Sequence, residues 1–159
     1  MTARLYFLRH GLADWPNWTG PDGERPLTPE GIRKMKDTAK TLKGLDLSLE
    51  AIFSSPLIRA KQTAEFAADR LKIKVTIVPA LAPGFGVHQL GELLAEYADA
   101  KTLMLVGHEP DFSTTIANLI GGGSIVMKKG GLARVDLESL DPPRGQLVWL
   151  LAPAVLTSD

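Results

Sequence analysis

The chain has 159 residues, enough for a sizeable core, and we expect a single domain over residues 1–159. Its 18 basic and 18 acidic side chains cancel, which argues against nucleic acid or an anionic membrane as the main partner. The absence of cysteine excludes disulfides, thiolate metal sites and cysteine nucleophiles.

The N-terminal segment "MTARLYF" lacks the long apolar stretch of a signal peptide. No apolar run in the sequence is long enough to cross a bilayer. We therefore expect a cytoplasmic protein.

Strand-like runs alternate with helix-like segments from the first residues onward. The strand-like runs are short, apolar, rich in aromatic or β-branched residues and bounded by polar residues or turns. They lie at 4–8, 51–55, 74–78, 102–106, 132–137 and 146–151. Continuous apolar runs of this kind are typical of central strands in a parallel sheet that is covered on both faces.

Four helices are predicted between these strands. Thr28 offers an N-cap before Pro29, the Ser55-Pro56 pair repeats this start signal, and Asp111 is expected to cap the fourth helix. The apolar faces at helical spacing are Ile32, Met35, Ala39 and Leu42; Ala60, Ala64, Ala67, Ala68 and Leu71; Leu90, Leu93, Leu94 and Tyr97; and Ile116, Leu119 and Ile120. The alternation predicts a three-layer α/β/α fold, an open and mostly parallel sheet with helices on both faces.

The longest irregular stretch runs from Leu12 to Leu27 and contains Trp15 and Trp18. A loop of this length in a compact domain often borders a binding site. The two tryptophans could dock a protein helix or form a lid over a pocket.

Three strand ends carry residues suited to chemistry. The first strand ends in Arg9-His10-Gly11, the second places Arg59 in the first turn of the following helix, and the fourth ends in Gly107-His108. Because ligands bind at the carboxyl ends of strands in open α/β sheets, we expect these side chains to share one site. Each feature alone is also compatible with a solvated strand end or an exposed charge. Their convergence on one edge favours a site.

Two histidines among arginines indicate covalent phosphoryl transfer. Arginine offers a planar, permanently charged fork that matches phosphate oxygens. Nearby arginines also lower the pKa of a histidine, which keeps its ring neutral and one nitrogen free to attack. Arg59 stands at a helix N-terminus, where a cation is disfavoured unless an anion is present. Its removal is therefore expected to leave the stability of the empty protein unchanged or slightly raised.

Other common phosphate and metal motifs are missing from the sequence. It contains no G-x-x-x-x-G-K-[ST], and "GFGVHQLG" has the wrong spacing for a dinucleotide-binding loop. His108-Glu109 is not followed by a histidine four residues on, since that position is Phe112. The chain has three histidines, and arginines crowd two of them, so we expect neither a metal nor another cofactor.

Several segments together resemble the histidine phosphatase superfamily, also called phosphoglycerate mutase-like. They are Arg9-His10-Gly11, "SSPLIRAKQTA" and "LVGHEP". The segments "RPLTPEG", "LAP" at 81–83 and the closing "VWLLAP" are similar to the SixA-like phosphohistidine phosphatase branch. The resemblance covers nearly the whole chain and implies the phosphoglycerate mutase-like fold, hence one histidine phosphatase domain.

The resemblance also implies roles for individual residues. His10 would be the nucleophile that becomes phosphorylated, and Arg9 and Arg59 would bind the phosphoryl oxygens. Arg25 would reach in from the long loop, and His108 would be a cationic fourth phosphate ligand. Gly11, which we include among the substrate-binding residues, would let the His10 ring approach a carbonyl that fixes one tautomer.

Larger members of the family carry a glutamate that protonates an alcohol leaving group. The corresponding stretch here, "PALAPGFG", has no acid. Asp14 and Glu109 could substitute, although the sequence favours a solvated or capping carboxylate for each. An imidazole leaving group needs less acid assistance than an alkoxide, so the missing acid favours phosphohistidine or another activated phosphoryl donor as the substrate.

Three functions remain open from the sequence. The leading interpretation is a metal-independent phosphatase that acts on protein phosphohistidine. The same machinery could instead serve a small phosphorylated metabolite. A non-catalytic phosphate-binding module is the third alternative, although the intact His10 and His108 argue against it.

Overall fold

The computed structural model describes residues 2–157, which form a six-stranded sheet flanked by helices. The strands are β1 (Ala3–Arg9), β2 (Ala51–Ser54), β3 (Val75–Ile77), β4 (Thr102–Gly107), β5 (Leu132–Leu140) and β6 (Pro143–Leu151). The helices are α1 (Pro29–Gly44), α2 (Ile58–Leu71), α3 (Val87–Glu96), α4 (Asp111–Leu119) and α5 (Pro153–Leu156). Two 3₁₀ turns, Asp22–Glu24 and Pro79–Leu81, lie in the connections.

The sheet has the strand order β3-β2-β4-β1-β5-β6. The first four strands in this order are parallel, whereas β5 and β6 form an antiparallel hairpin at one edge. All six predicted strands are confirmed, as is the mostly parallel sheet. The last two strands are longer than the predicted apolar runs, because each pairs with its neighbour along a long antiparallel ladder.

Side chains of the central strands alternate between two apolar cores. Leu5 and Phe7 of β1 face one core, to which α3 and α4 contribute Leu90 and Phe112. Tyr6 and Leu8 face the other core, which contains residues of α1, α2 and α5. The continuous apolar run in β1 therefore reflects burial on both faces. Helices on both faces of the sheet are confirmed.

The start of α1 matches the predicted cap, whereas α2 begins later than expected. The Thr28 side chain accepts a hydrogen bond from the Gly31 amide at 3.0 Å. The predicted start of α2 at Ser55-Pro56 is wrong, because the helix begins at Ile58. Ser55 Oγ instead accepts from the Leu57 amide at 3.1 Å and organises the turn before the helix.

The expected capping role of Asp111 is also wrong. Asp111 is the first residue of α4, and its carboxylate accepts from the Gly84 amide at 2.8 Å. Glu109 provides the cap, since its Oε2 accepts from the Ser113 amide at 2.8 Å. Two residues assigned to apolar helix faces, Tyr97 and Ile120, stand just past the ends of α3 and α4.

Within residues 2–157, no helix combines the length and the apolar character needed to cross a membrane.

Candidate active site

The topology brings the three predicted strand ends together. Arg9 at the end of β1 is in register with Gly107 at the end of β4, and β4 also pairs with β2. His10 and His108 therefore follow adjacent strands, and their ring centroids lie 5.2 Å apart. The predicted grouping of both histidines at one edge of the sheet is confirmed.

His10 has a fixed tautomer. Its residue surface is only 7% exposed, and Nδ1 lies 2.7 Å from the Gly11 carbonyl oxygen. A carbonyl oxygen only accepts, so Nδ1 donates its proton and Nε2 keeps its lone pair. Burial, followed by the charges of the neighbouring basic groups, lowers the pKa of His10 to about 3. The ring is neutral at physiological pH, as the sequence predicted.

Gly11 lies where a side chain would meet Met35. A Cβ at this position would lie 2.6 Å from Met35 Cγ. The Gly11 amide donates to Thr63 Oγ1 at 3.1 Å, and the Gly11 carbonyl accepts from His10 Nδ1. Both backbone groups are thus engaged within the protein. The expected contact between the His10 ring and a carbonyl that fixes one tautomer is confirmed, whereas the assignment of Gly11 as a substrate-binding residue stays a prediction.

His108 is held by Ser55. His108 Nε2 lies 2.7 Å from Ser55 Oγ, and His108 is 3% exposed. Because Ser55 Oγ already accepts from the Leu57 amide, its own proton is available to His108 Nε2. In that arrangement the neutral ring carries its proton on Nδ1.

The expectation of a cationic His108 refers to the site with phosphate bound and stays a prediction. Burial and the adjacent Arg59 lower the pKa of His108 to about 4. The imidazole is therefore neutral at physiological pH and acts as an N–H donor rather than as a charge. An incoming phosphoryl dianion would raise its pKa, since an opposite charge favours the protonated form.

Arg59 lies in the first turn of α2, as predicted, and forms an ion pair with the Asp22 carboxylate. Its Nη2 lies 3.0 Å from Asp22 Oδ2, and its Nη1 donates to the Asp22 carbonyl at 2.8 Å. Asp22 belongs to the 3₁₀ turn in the long loop. We expected the cation at this helix start to lack an anion in the empty protein, and this is wrong. Removing Arg59 would break an ion pair instead of relieving a repulsion.

Arg25 and Arg9 approach the site from two other segments. Arg25 Nη2 lies 3.1 Å from Asp22 Oδ1, and its Nη1 donates to the Ala13 carbonyl. Arg9 Nη1 donates to the Met127 carbonyl at 2.8 Å. Arg9, Arg25 and Arg59 each act electrostatically on His108 and lower its pKa. The long loop thus borders the site, as predicted.

Three buried nitrogens of the cluster have no hydrogen-bond partner among the described residues. They are Arg9 Nε, Arg59 Nε and His108 Nδ1. Buried polar groups in native proteins are normally paired, and leaving one unpaired costs free energy. This concentration of unpaired nitrogens matches a site whose acceptor comes from outside the chain.

Neither candidate proton donor is free for that role. Asp14 forms an ion pair with Lys129, and this contact lowers the pKa of the Asp14 carboxyl. Glu109 caps α4. The capping reading of Glu109 is supported, and an ionised Asp14 cannot donate a proton.

Trp15 and Trp18 line the approach to Arg25. Trp15 Nε1 donates to the Pro26 carbonyl at 2.8 Å, and Trp18 Nε1 donates to the Pro21 carbonyl at 3.1 Å. With Asp14, Asp22 and Arg25 they surround a concavity of about 490 Å³. A larger concavity of about 670 Å³ lies between α3 and the β5–β6 turn, but it is not lined by Arg9, His10, Arg59 or His108.

Sequence reasoning missed two residues of this arrangement. Ser55 was assigned to a helix start signal, although its position right after a strand end could have identified it as a partner for His108. Asp22 carried no signal, because a single aspartate in an irregular loop follows no periodicity. Among residues 2–157, no group of three or more His, Asp or Glu side chains is arranged to hold a metal ion.

Residues 5–101 match the model of the histidine phosphatase superfamily (branch 1), and the chain belongs to this superfamily. Within it, the chain is similar to SixA-like proteins. It is 28% identical to the phosphohistidine phosphatase SixA of Escherichia coli K12 over 162 residues, with 96% of both chains covered.

Two further comparisons agree with this assignment. An uncharacterized protein of a Picosynechococcus strain is 40% identical over 137 residues, which cover 80% of this chain and 81% of the relative. A structure of the protein histidine phosphatase SixA complexed with tungstate superposes with a TM-score of 0.84 at 26% identity. That superposition covers 97% of this chain and 99% of the other. Together these likenesses support phosphatase activity and the phosphoglycerate mutase-like fold.

Proposed function

We propose that this protein is a metal-independent phosphatase in which His10 accepts the phosphoryl group, and that its substrate is phosphohistidine on a protein. The observation that carries the proposal is the state of His10. Its ring is neutral, Nδ1 is bound to the Gly11 carbonyl, and Nε2 is left for attack beside Arg9, Arg59 and His108.

In the first step, His10 Nε2 forms a bond to phosphorus while the bond from phosphorus to the leaving group breaks. The bonding electron pair goes to the leaving nitrogen of the substrate imidazole, which departs as neutral imidazole because its other ring nitrogen has taken a proton from solvent. Arg9, Arg25 and Arg59 balance the negative charge on the phosphoryl oxygens, and His108 Nδ1–H donates to one of them.

In the second step, water attacks phosphorus and the bond to His10 Nε2 breaks. The electron pair returns to His10, one water proton is released, and inorganic phosphate leaves. The cationic side chains take the part that a divalent cation plays at other phosphoryl-transfer sites. The mechanism therefore includes no metal.

The substrate follows from the leaving group. Asp14 and Glu109 are both engaged in contacts within the protein, so neither supplies a proton. Imidazole leaves more readily than an alkoxide and tolerates this lack of an acid. The likeness to SixA, which is named as a phosphohistidine phosphatase, supports the same substrate class.

The direct test compares turnover of a phosphohistidine-bearing protein with turnover of common sugar phosphates by the same preparation. We expect kcat/KM to be higher for the phosphohistidine protein by orders of magnitude, with His10→Ala as the inactive control. Faster turnover of a sugar phosphate would contradict the proposed substrate. Binding of phosphate without any turnover would contradict catalysis itself.

A further inference from the structure

Two of the three arginines assigned to the phosphoryl group already hold an anion from the chain. The Asp22 carboxylate places Oδ2 3.0 Å from Arg59 Nη2 and Oδ1 3.1 Å from Arg25 Nη2. One carboxylate thus bridges two guanidinium groups that come from separate segments. Because guanidinium donors bind carboxylate and phosphate oxygens in the same geometry, Asp22 uses donors that a phosphoryl group would need.

The two members of the Asp22–Arg59 pair differ in exposure. The Arg59 side chain is 6% exposed, whereas that of Asp22 is 65% exposed. The carboxylate therefore covers the buried guanidinium from the solvent side. It can leave Arg59 by turning into solvent, which hydrates the freed carboxylate, while the arginine stays in place for another anion.

Departure of the carboxylate does not require the surrounding loop to unfold. The Asp22 backbone carbonyl is held separately by Arg59 Nη1 at 2.8 Å. Just before it, the Pro21 carbonyl accepts from Trp18 Nε1 at 3.1 Å. The Arg59 contact thus keeps the turn on α2, the Trp18 contact holds the loop before it, and rotation of one side chain is enough to uncover the arginine donors.

The carboxylate also acts on His108. Asp22 raises the pKa of His108 electrostatically, against the lowering effect of Arg59. Its field therefore reaches the place where the proposed reaction occurs. Two anions that share the same donors at this distance repel each other, and such like-charge contacts are costly.

We propose that Asp22 exchanges with phosphate on Arg25 and Arg59, and that its return to the arginines speeds release of the inorganic phosphate product. The exchange rests on the proposed function. It addresses a problem that any such site faces, since a cluster of arginines that binds a phosphoryl dianion tightly also retains the product. An internal carboxylate weakens product binding without removing any donor.

The test is the affinity for inorganic phosphate, measured by calorimetry and as a competitive inhibition constant. Asp22→Asn keeps the side-chain size and the backbone carbonyl while removing the charge. We expect phosphate to bind about tenfold more tightly or better in this variant. Glu24→Gln is the matched control, because Glu24 lies in the same 3₁₀ turn and is exposed. It should leave the phosphate affinity close to that of the wild type.

An unchanged or weaker affinity in Asp22→Asn would overturn the exchange and show that Asp22 only positions the arginines. A structure of the wild type with vanadate gives a second test that needs no variant. We expect the carboxylate to be off Arg59 when vanadate is bound, and an intact Asp22–Arg59 pair would contradict the proposal. Calorimetric binding needs no turnover, so failure of the exchange is separable from failure of the phosphatase reaction.

Discussion

Single oxygen atoms determine how the two histidines of the cluster differ. The Gly11 carbonyl accepts a hydrogen bond from Nδ1 of His10, which leaves the lone pair of Nε2 free. When the Ser55 hydroxyl donates to Nε2 of His108, Nδ1–H is left as a donor. Two chemically identical rings 5.2 Å apart are thereby suited to opposite tasks, one to attack phosphorus and the other to donate to its oxygens.

We predict that Ser55→Ala impairs catalysis more than substrate binding. Without the hydroxyl, His108 is free to place its proton on either nitrogen and loses its orientation. The expected loss is in kcat, on the order of tenfold to a hundredfold, with a smaller change in KM. Ser55→Thr, which keeps the hydroxyl, should restore part of the rate. A Ser55→Ala enzyme with wild-type kcat would show that the contact has no part in the reaction.

The buried histidines also predict how stability depends on pH. Folding lowers the pKa of His10 to about 3 and that of His108 to about 4, so between about pH 4 and 6.5 the unfolded chain binds more protons than the folded one. The free energy of unfolding should therefore fall as the pH drops through this range. Each fully effective histidine would contribute about 1.4 kcal/mol per pH unit.

Urea unfolding of the wild type and of His108→Gln across this range would measure the contribution of His108. The variant should show a shallower dependence on pH. His88→Gln is the control, since His88 is exposed and pairs with Glu92. Equal pH dependence in the wild type and His108→Gln would contradict the assigned neutral state.

At the scale of elements, the site depends on how the segment after β1 meets the start of α1. The Thr28 amide donates to the Leu12 carbonyl at 2.9 Å. A Cβ on Gly31, in the first turn of α1, would lie only 2.2 Å from that same carbonyl oxygen. The chain therefore requires glycine here for the helix to approach the residues that follow His10.

We predict that Gly31→Ala destabilises the protein by about 1–3 kcal/mol, since a backbone atom must move to accept the methyl group. Activity should fall as well, because the displaced segment leads directly to His10. Chemical denaturation and kcat measure the two effects. Gly44→Ala, also in α1 but with nothing within 4 Å of the added Cβ, should be neutral or slightly stabilising. Equal stability of the two variants would contradict the close approach.

At the scale of the whole molecule, the elements that the sequence predicted are those with a strong local signal. The six strands and the cap at Thr28 follow from apolar runs and from hydrogen-bonding side chains near in sequence. The shared edge of His10 and His108 follows from general rules of parallel sheets. The contacts of Asp22 were not predictable, because they join residues 37 positions apart through an irregular loop.

The neutral state of His108 in the empty protein was not predicted, for a related reason. A motif shows that arginines are near, but the degree of burial that lowers the pKa emerges only when β2, β4 and α2 pack together. The Asp111 cap failed similarly. Its carboxylate accepts a hydrogen bond from the amide of Gly84, which is distant in sequence. Glu109 instead accepts from an amide in the first turn of α4.

Anion binding should be visible in the thermal stability of the whole protein. Phosphate at 100 times its Kd stabilises a protein by about 2.7 kcal/mol, which raises the Tm by roughly 5–10 °C for a chain of this size. We predict that Arg59→Ala loses most of this rise. Arg33→Ala, which removes an exposed arginine paired with Glu30, should keep it. A full phosphate-induced rise in Arg59→Ala would exclude Arg59 from the anion site.

The central claim is that His10 carries the phosphoryl group, and rapid quenching with a radiolabelled phosphohistidine protein tests it most directly. We predict an acid-labile, base-stable label on the peptide that contains His10 in the wild type. We predict no label and no turnover in a folded His10→Ala variant. Label on a different residue, or near-normal turnover by His10→Ala, would contradict the account.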